Sequence, residues 1–256
     1  MEPFYGTIIV FVRTLFHVQG LKITITGAEN IPATGGAVMA INHTGYLDFM
    51  LAGLPTAREY PRRKVRYMAK KEVFDHKIIG PAMRQMHHIP VDRSHGGASY
   101  AEAVRALKAG ELIGVYPEAT ISRSFEIKDF KSGAARMAIE AGVPIIPHIV
   151  WGAQRIWTKG QPKKLFRPKV PVEVIVGKPI PPTLPVAELT DLLRSRMQEM
   201  LLQAQSRYGP HPAGEFWVPH RLGGGAPTPA EASVIEAEEA ARKAARRNQG
   251  QTPADG

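Results

Sequence analysis

The chain has 256 residues, a formal net charge of +10, a pI of about 9.9 and no cysteine. Without thiols there is no disulfide framework, no thiolate nucleophile and no cysteine-based metal site. The basic balance favours an anionic partner, and with no Lys/Arg block interleaved with aromatics a phospholipid surface or phosphorylated substrate is expected rather than nucleic acid.

Residues 4–16, FYGTIIVFVRTLF, are apolar, but a bilayer span needs ~20 apolar residues and Arg13 interrupts this run. No basic n-region or clear cleavage site marks a signal peptide. Two readings stay open for this stretch: a helix of the core, or an interfacial helix lying in the headgroup layer. Residues 21–26 alternate apolar and polar, as a half-buried strand does, and 37–41 (AVMAI) read as a fully buried strand. A helix is expected from Phe49 to about Arg58. A basic segment (Arg62, Arg63, Lys64, Arg66) follows, then a strand over 65–69 and a helix over 75–86. Residues 88–93 read as a short strand ending on Arg93, 100–109 as a helix stopped at Gly110, and 111–116 as a strand. An Ala-rich helix over 131–141 precedes a strand-like stretch, 143–150, whose prolines predict a sheet edge or a strand end. A strand over 170–176 and an amphipathic helix over 186–208 complete the pattern. Strands alternating with helices predict an α/β domain whose mostly parallel or mixed sheet is flanked by helices. From Gly223 the composition turns to Gly, Pro, Ala and Glu; Glu231–Arg247 could form a lone helix, but with few large apolar residues to dock, 223–256 reads as a flexible tail.

The stretch Asn42-His43-Thr44-Gly45-Tyr46-Leu47-Asp48 follows the most apolar strand. Five residues along a regular helix turn one side chain ~140° from the other, so His43 and Asp48 meet only across a loop-to-helix junction. With His43 on the loop, Gly45 at the bend, Thr44 capping the helix and Asp48 in its first turn, one imidazole nitrogen is held by a carboxylate while the other faces a substrate. That pair is a general base.

Three further stretches sit just past predicted strands, where α/β folds gather their sites: Ile89-Pro90-Val91-Asp92-Arg93, Tyr116-Pro117-Glu118-Ala119-Thr120-Ile121-Ser122 and Val143-Pro144-Ile145-Ile146-Pro147. With the first, they form the ordered blocks N-H-x-x-x-x-D, a block ending in arginine, F-P-E-G-T-R-S and V-P-I-x-P. In these blocks the chain resembles the glycerolipid acyltransferase family, in particular the lysophosphatidic acid (1-acylglycerol-3-phosphate) acyltransferases, over roughly residues 20–180. The third block departs from the family pattern: Ala119 stands for the usual glycine and Ile121 for the usual arginine. Arg123 is the nearest replacement for that arginine, with Arg93 and Lys131 as partners.

The resemblance implies direct acyl transfer from an acyl thioester, acyl-CoA or acyl-carrier protein, to the free hydroxyl of lysophosphatidic acid, forming phosphatidic acid. His43 would be the base and Asp48 its orienting carboxylate. Glu118 and Thr120 would hold the glycerol part of the acceptor, and Arg93 its phosphate. No metal or resident cofactor is implied. His17, His76, His87, His95, His148, His211 and His220 lack ligand-like spacing, and His87-His88 read as surface or wall. The basic cluster Lys163, Lys164, Arg167 and Lys169 is either a solvated face or a contact for anionic headgroups, at ~1 kcal/mol per charge. The expected organisation is an apolar membrane-interface segment over 1–20, an acyltransferase domain over 21–222 and the tail, on the cytoplasmic face of the cell membrane as a peripheral, monotopic protein. Two rivals stay open: an acyltransferase for another acceptor (glycerol 3-phosphate, another lysophospholipid or a glycolipid), and a non-catalytic lipid-binding protein, for which the His43–Asp48 pair would be superfluous.

Overall fold

Apolar runs, broken only by His148 in β6, build the centre of the sheet, because a strand covered on both faces presents no side to water. β2 (Ala37–Ile41), β5 (Leu112–Val115) and β6 (Ile145–Trp151) are buried at every position. Around them lie β1 (Lys22–Thr26), β3 (Val65–Lys70), β4 (Ile89–Val91) and β7 (Pro171–Val176). The computed structural model describes residues 3–58, 63–92 and 96–248. Its seven strands form one sheet in the order β1-β7-β6-β2-β5-β3-β4, parallel throughout except between β6 and β7. The expected mixed α/β architecture is therefore present.

Chain contacts separate two compact units: residues up to Ile121 together with Asp129–Gly209, and Ser122–Lys128 together with the chain from Pro210 onward. The first unit holds the whole sheet. Its helices are α1 (Pro3–Val18), α2 (Asp48–Ala52), α3 (Leu54–Arg58), α4 (Lys71–Asp75), α5 (Ile79–Gln85), α6 (Gly96–Lys108), α7 (Gly133–Ala141) and α8 (Val186–Tyr208). In α8, Leu189, Leu193, Met197, Met200, Leu201 and Ala204 recur every three or four residues and are all buried, the pattern of a helix docked by one stripe.

Five expectations need correction. The stretch around Pro147 is not an edge: β6 lies between β7 and β2. Proline is accepted there because the β6–β7 ladder is interrupted. Ile145 faces Ile180 and His148 faces Val176, so the partner chain carries one extra residue opposite Pro147. A missing N–H costs little at such a bulge. The fourth block also does not lie past a strand. Ile145 is level with Val38, so the block enters the sheet at the end opposite to Asn42. The helix read over 75–86 starts later and is only α5, with α4 ending at Asp75 before it, and the helix read to Arg58 breaks at Gly53 between α2 and α3. Finally, the stretch read as a tail carries α9 (Pro229–Asn248). Within the second unit Lys128 pairs with Glu236, Arg123 with Glu239, and Arg221 with Glu126 at 2.6 Å. Ion pairs stand in for the apolar contacts whose scarcity argued against docking.

Both readings of the N-terminal stretch find a face on α1. Tyr5, Val12 and Phe16 are buried, and the Tyr5 hydroxyl both donates to Val65 O (2.9 Å) and accepts from Val65 N–H (3.2 Å), tying the helix to the start of β3. Val10, Phe11 and Val18 point outward, each about 60% exposed. Of the adjacent histidines, His87 is exposed, whereas buried His88 accepts the Tyr67 N–H at its Nδ1 (3.0 Å) and fixes β4 beside β3.

Candidate active site

The chain leaves β2 through Asn42, whose side-chain amide continues the sheet after the backbone has turned away. Its Nδ2 donates to Val150 O (3.1 Å) and its Oδ1 accepts from Val150 N–H (2.7 Å), while its own N–H reaches His148 O (3.2 Å). One side chain thus satisfies both backbone groups of a buried β6 residue, groups that water cannot reach. His43 starts from a fixed point.

From there the loop closes on Asp48, the first residue of α2. The His43 Nδ1 lies 3.1 Å from Asp48 Oδ2, and the same oxygen accepts the N–H groups of Thr44 (2.7 Å) and Gly45 (2.8 Å). Asp48 is fully buried, and a buried carboxylate is tolerable only when several donors replace its water. The expected Thr44 cap is reversed: Leu47 is the N-cap of α2 and makes no side-chain cap, and the carboxylate of Asp48 turns back to hold the loop. With Nδ1–H directed at Asp48, Nε2 is the imidazole's acceptor. The His43 side chain keeps 17% of its surface open, enough for a reactant to reach it.

Two residues from the third block complete the setting. Tyr116 stacks on the imidazole with ring centres 3.9 Å apart and planes 14° from parallel. Desolvation, followed by the nearby Asp48 charge, pushes its hydroxyl well above the usual 10.0, so it stays a neutral phenol. Buried Glu118 accepts the backbone N–H of His43 at 2.8 Å. The structure therefore brings His43, Asp48 and Glu118 together. Tyr116 stands in the third block without a role in the sequence, since its partner His43 lies 73 residues away.

The rest of the block explains its departures. Ala119 has φ +62°, the left-handed conformation in which glycine is at ease and alanine pays ~1 kcal/mol. Thr120 is half-buried in the same turn, its N–H on Glu118 O at 2.8 Å. Ile121 is buried, as an apolar side chain in the arginine's place should be. Lys131 is exposed, but its N–H closes the loop on Pro117 O at 2.9 Å. Arg123 belongs to the second unit, where Glu239 engages its guanidinium. Arg93 lies outside the described residues.

The catalytic loop is braced from the segment after β6. Tyr46 N–H donates to Trp157 O (3.0 Å) and Thr158 Oγ1 to Thr44 O (2.6 Å). A Cβ on Gly45 would come within 2.7 Å of Trp157 O, so only glycine lets the two backbones approach. On the other side, Tyr67 donates to Phe49 O of α2 (2.6 Å), and Gly114 leaves room for its ring, since a Cβ there would sit 2.5 Å from Tyr67 Cδ1. His148, beneath Asn42, is buried with Nδ1 on Ile146 O (3.0 Å) and is pushed down to about 4 by desolvation, so it stays a neutral imidazole in the fold.

Comparison with known proteins adds a lineage to this geometry. The family model described as Acyltransferase matches residues 22–151. The 1-acyl-sn-glycerol-3-phosphate acyltransferase of Bacillus subtilis (strain 168) is 30% identical over 197 residues, covering 73% of this chain and 92% of its own. The protein of the same name from Limnanthes douglasii is 32% identical over 173 residues, 64% of this chain and 56% of that longer one. The crystal structure of the 1-acyl-sn-glycerophosphate (LPA) acyltransferase from Thermotoga maritima shares the fold with a TM-score of 0.61 at 20% identity, over 81% of this chain and 91% of that one. A family model spanning half the chain, and a relative aligned along nearly its whole length, place this chain in the acyltransferase family.

Proposed function

We propose that the chain transfers a fatty acyl group from an acyl thioester, acyl-CoA or acyl-carrier protein, to the hydroxyl of 1-acylglycerol 3-phosphate, giving phosphatidic acid. The observation that carries this reading is the His43–Asp48 couple, with its buried carboxylate held by two backbone amides. Nε2 of His43 takes the proton of the acceptor hydroxyl as its oxygen bonds to the thioester carbon. The tetrahedral intermediate then breaks its C–S bond, and the imidazolium returns the proton to the departing thiolate. Asp48 keeps the ring in the tautomer that accepts at Nε2 and stabilises its charged form. Tyr116 limits the ring's rotation from one face. Glu118 contributes by holding the His43 backbone, in addition to the acceptor contact that the resemblance implies.

For the acceptor phosphate we propose Arg93 with Lys131 as its partner, and for the glycerol part Glu118 and Thr120, as the resemblance implies. Arginine suits phosphate through its forked donors. Arg93→Ala should raise the KM for the acceptor roughly ten- to a hundred-fold, more than that for the donor, since a charge-assisted contact is worth ~1.5–3 kcal/mol. The reading needs no resident metal or cofactor.

The acceptor resides in a bilayer, and among the described residues no helix is long and apolar enough to cross one. The outward face of α1 supplies an interfacial contact instead. Deleting α1 would remove buried Tyr5, Val12 and Phe16, so its docking role is better tested by Val10→Ser with Phe11→Ser, which should weaken vesicle binding and leave the fold intact. The reaction itself is tested by incubating the full chain with labelled acyl-CoA and a panel of acceptors: lysophosphatidic acid, glycerol 3-phosphate, other lysophospholipids and a glycolipid. Label is expected in phosphatidic acid; label in another product would replace the acceptor, and no label in any lipid would remove the reading.

A further inference from the structure

Between the 3₁₀ turn Ala153–Arg155 and β7 the chain forms an irregular loop whose tip is apolar. Phe166 is 91% exposed and its neighbour Leu165 43%; among the described residues no large apolar side chain is more open than Phe166. The stretch 159–170 holds Lys159, Lys163, Lys164, Arg167 and Lys169 and no acidic residue. An aromatic tip set in a ring of one charge sign suits an anionic lipid surface: the apolar side chains enter the acyl boundary and the cations stay among the headgroups.

The loop is held in this shape. Gln19, the buried residue just after α1, donates from Nε2 to Leu165 O (2.7 Å) and accepts the Lys169 N–H at its own backbone oxygen (3.2 Å). Lys164 N–H reaches Ile156 O at 2.8 Å. Arg167 and Lys169 take φ of +41° and +51°, a region that ordinary side chains enter only when their surroundings impose it. The tip is thus fixed on both sides to residues that also anchor other parts of the unit. Through Gln19 it joins the end of α1, where Val18 is exposed. On the other side Lys163 Nζ lies 4.7 Å from the Trp157 ring centre, and Trp157 O receives the Tyr46 N–H of the catalytic loop.

We propose that the Leu165–Phe166 tip is a second membrane contact, inserting into an anionic bilayer beside α1 and setting the angle at which the His43 loop faces the lipid. This rests on the bilayer-bound acceptor proposed above. The test uses the full chain and two vesicle preparations, phosphatidylcholine alone and phosphatidylcholine with phosphatidylglycerol. Phe166→Ser should weaken partition into the anionic vesicles about ten-fold, the expected loss for one buried aromatic. Arg167→Gln with Lys169→Gln should reduce the preference for anionic over neutral vesicles. Phe166→Trp should show, above the wild-type tryptophan background, a blue-shifted emission quenched by brominated acyl chains. Activity on a detergent-dispersed short-chain acceptor should stay at the wild-type level in all three. Phe166→Ser partition equal to wild type, or an unquenched Phe166→Trp, overturns the proposal; if Phe166→Ser misfolds, the tryptophan variant decides. Failure of the acceptor reading looks different. A wild type that makes no phosphatidic acid, with loop variants that still lose vesicle binding, would leave the docking surface standing without its substrate.

Discussion

The loop carrying His43 and the segment carrying Arg123 are both short and both bear a charged group expected to serve the reaction, yet they are held by opposite means. Around His43 a fully buried carboxylate collects an imidazole and two backbone amides, and the loop behind it is bolted to Val150, Trp157 and Thr158 by further hydrogen bonds. Around Arg123 the fastenings are ion pairs between long side chains, Arg123–Glu239, Lys128–Glu236 and Arg221–Glu126, all partly open to water. Backbone donors aimed at a buried charge are set before any substrate arrives, and salt barely reaches them. Ion pairs at the surface are weak, screened and able to exchange partners. A base needs its geometry fixed within fractions of an ångström, so the first kind of fastening belongs there.

The largest expected effect comes from breaking the buried couple. His43→Ala should lower turnover at least ~10²-fold with the fold intact, because a general base is lost. Asp48→Asn should be comparably inactive and also less stable. Its amide would direct a donor at the N–H groups of Thr44 and Gly45 or leave one of them unpaired. Initial rates with acyl-CoA and lysophosphatidic acid, paired with melting curves, check both. Wild-type turnover in either variant would remove the mechanism.

Next in size is the bolt behind the loop. Asn42→Ala strips the partners from both the N–H and the C=O of Val150 in a buried strand, at roughly 1–3 kcal/mol for each group left unsatisfied. Denaturant midpoints should fall accordingly, and turnover should fall with little change in KM, since the displaced group is the base rather than a substrate contact. A variant as stable as wild type would mean that the sheet beyond β2 does not depend on this side chain.

This division also explains what the sequence disclosed. The His43–Asp48 couple was legible because a five-residue spacing works chemically only at a loop-to-helix junction, and the apolar strand before it and the helix after it are local patterns. The α/β alternation was legible for the same reason. Pro147 misled because its tolerance depends on an extra residue in the strand opposite, some thirty positions away in the chain. The Tyr116 stack, the Glu118 bond to the His43 backbone and the Asn42 bridge join positions 73 to 108 residues apart, and no local pattern announces them. The docking of α9 is hidden from composition, which counts apolar residues, while Glu236 and Glu239 dock through charge.

A third test works through pH. His148 is neutral in the fold, lowered from the usual 6.5 to about 4 by desolvation. Between those values the unfolded chain binds a proton that the folded chain refuses, so stability is fully present above about 6.5 and declines as pH falls toward 4. The expected contribution is a slope of up to ~1.4 kcal/mol per pH unit within that window. His148→Gln should flatten it, measured as denaturant midpoints across the range. An unchanged slope would assign the acid sensitivity to other groups.

The smallest effect sharpens the comparison most. Glu239→Gln removes the charge that engages Arg123, and Glu236→Gln the one that engages Lys128. Each should cost only ~0–1 kcal/mol, the usual worth of an ion pair with access to water. The decisive measurement is the salt dependence of that cost. At 1 M salt the Debye length shrinks to ~3 Å, so the difference between each variant and wild type should largely vanish. The deficit of Asn42→Ala, made of neutral hydrogen bonds in a dry strand, should persist at the same ionic strength. A Glu239→Gln deficit that survived high salt would show that the Arg123 segment is fastened as rigidly as the catalytic loop, and the contrast between the two regions would be gone.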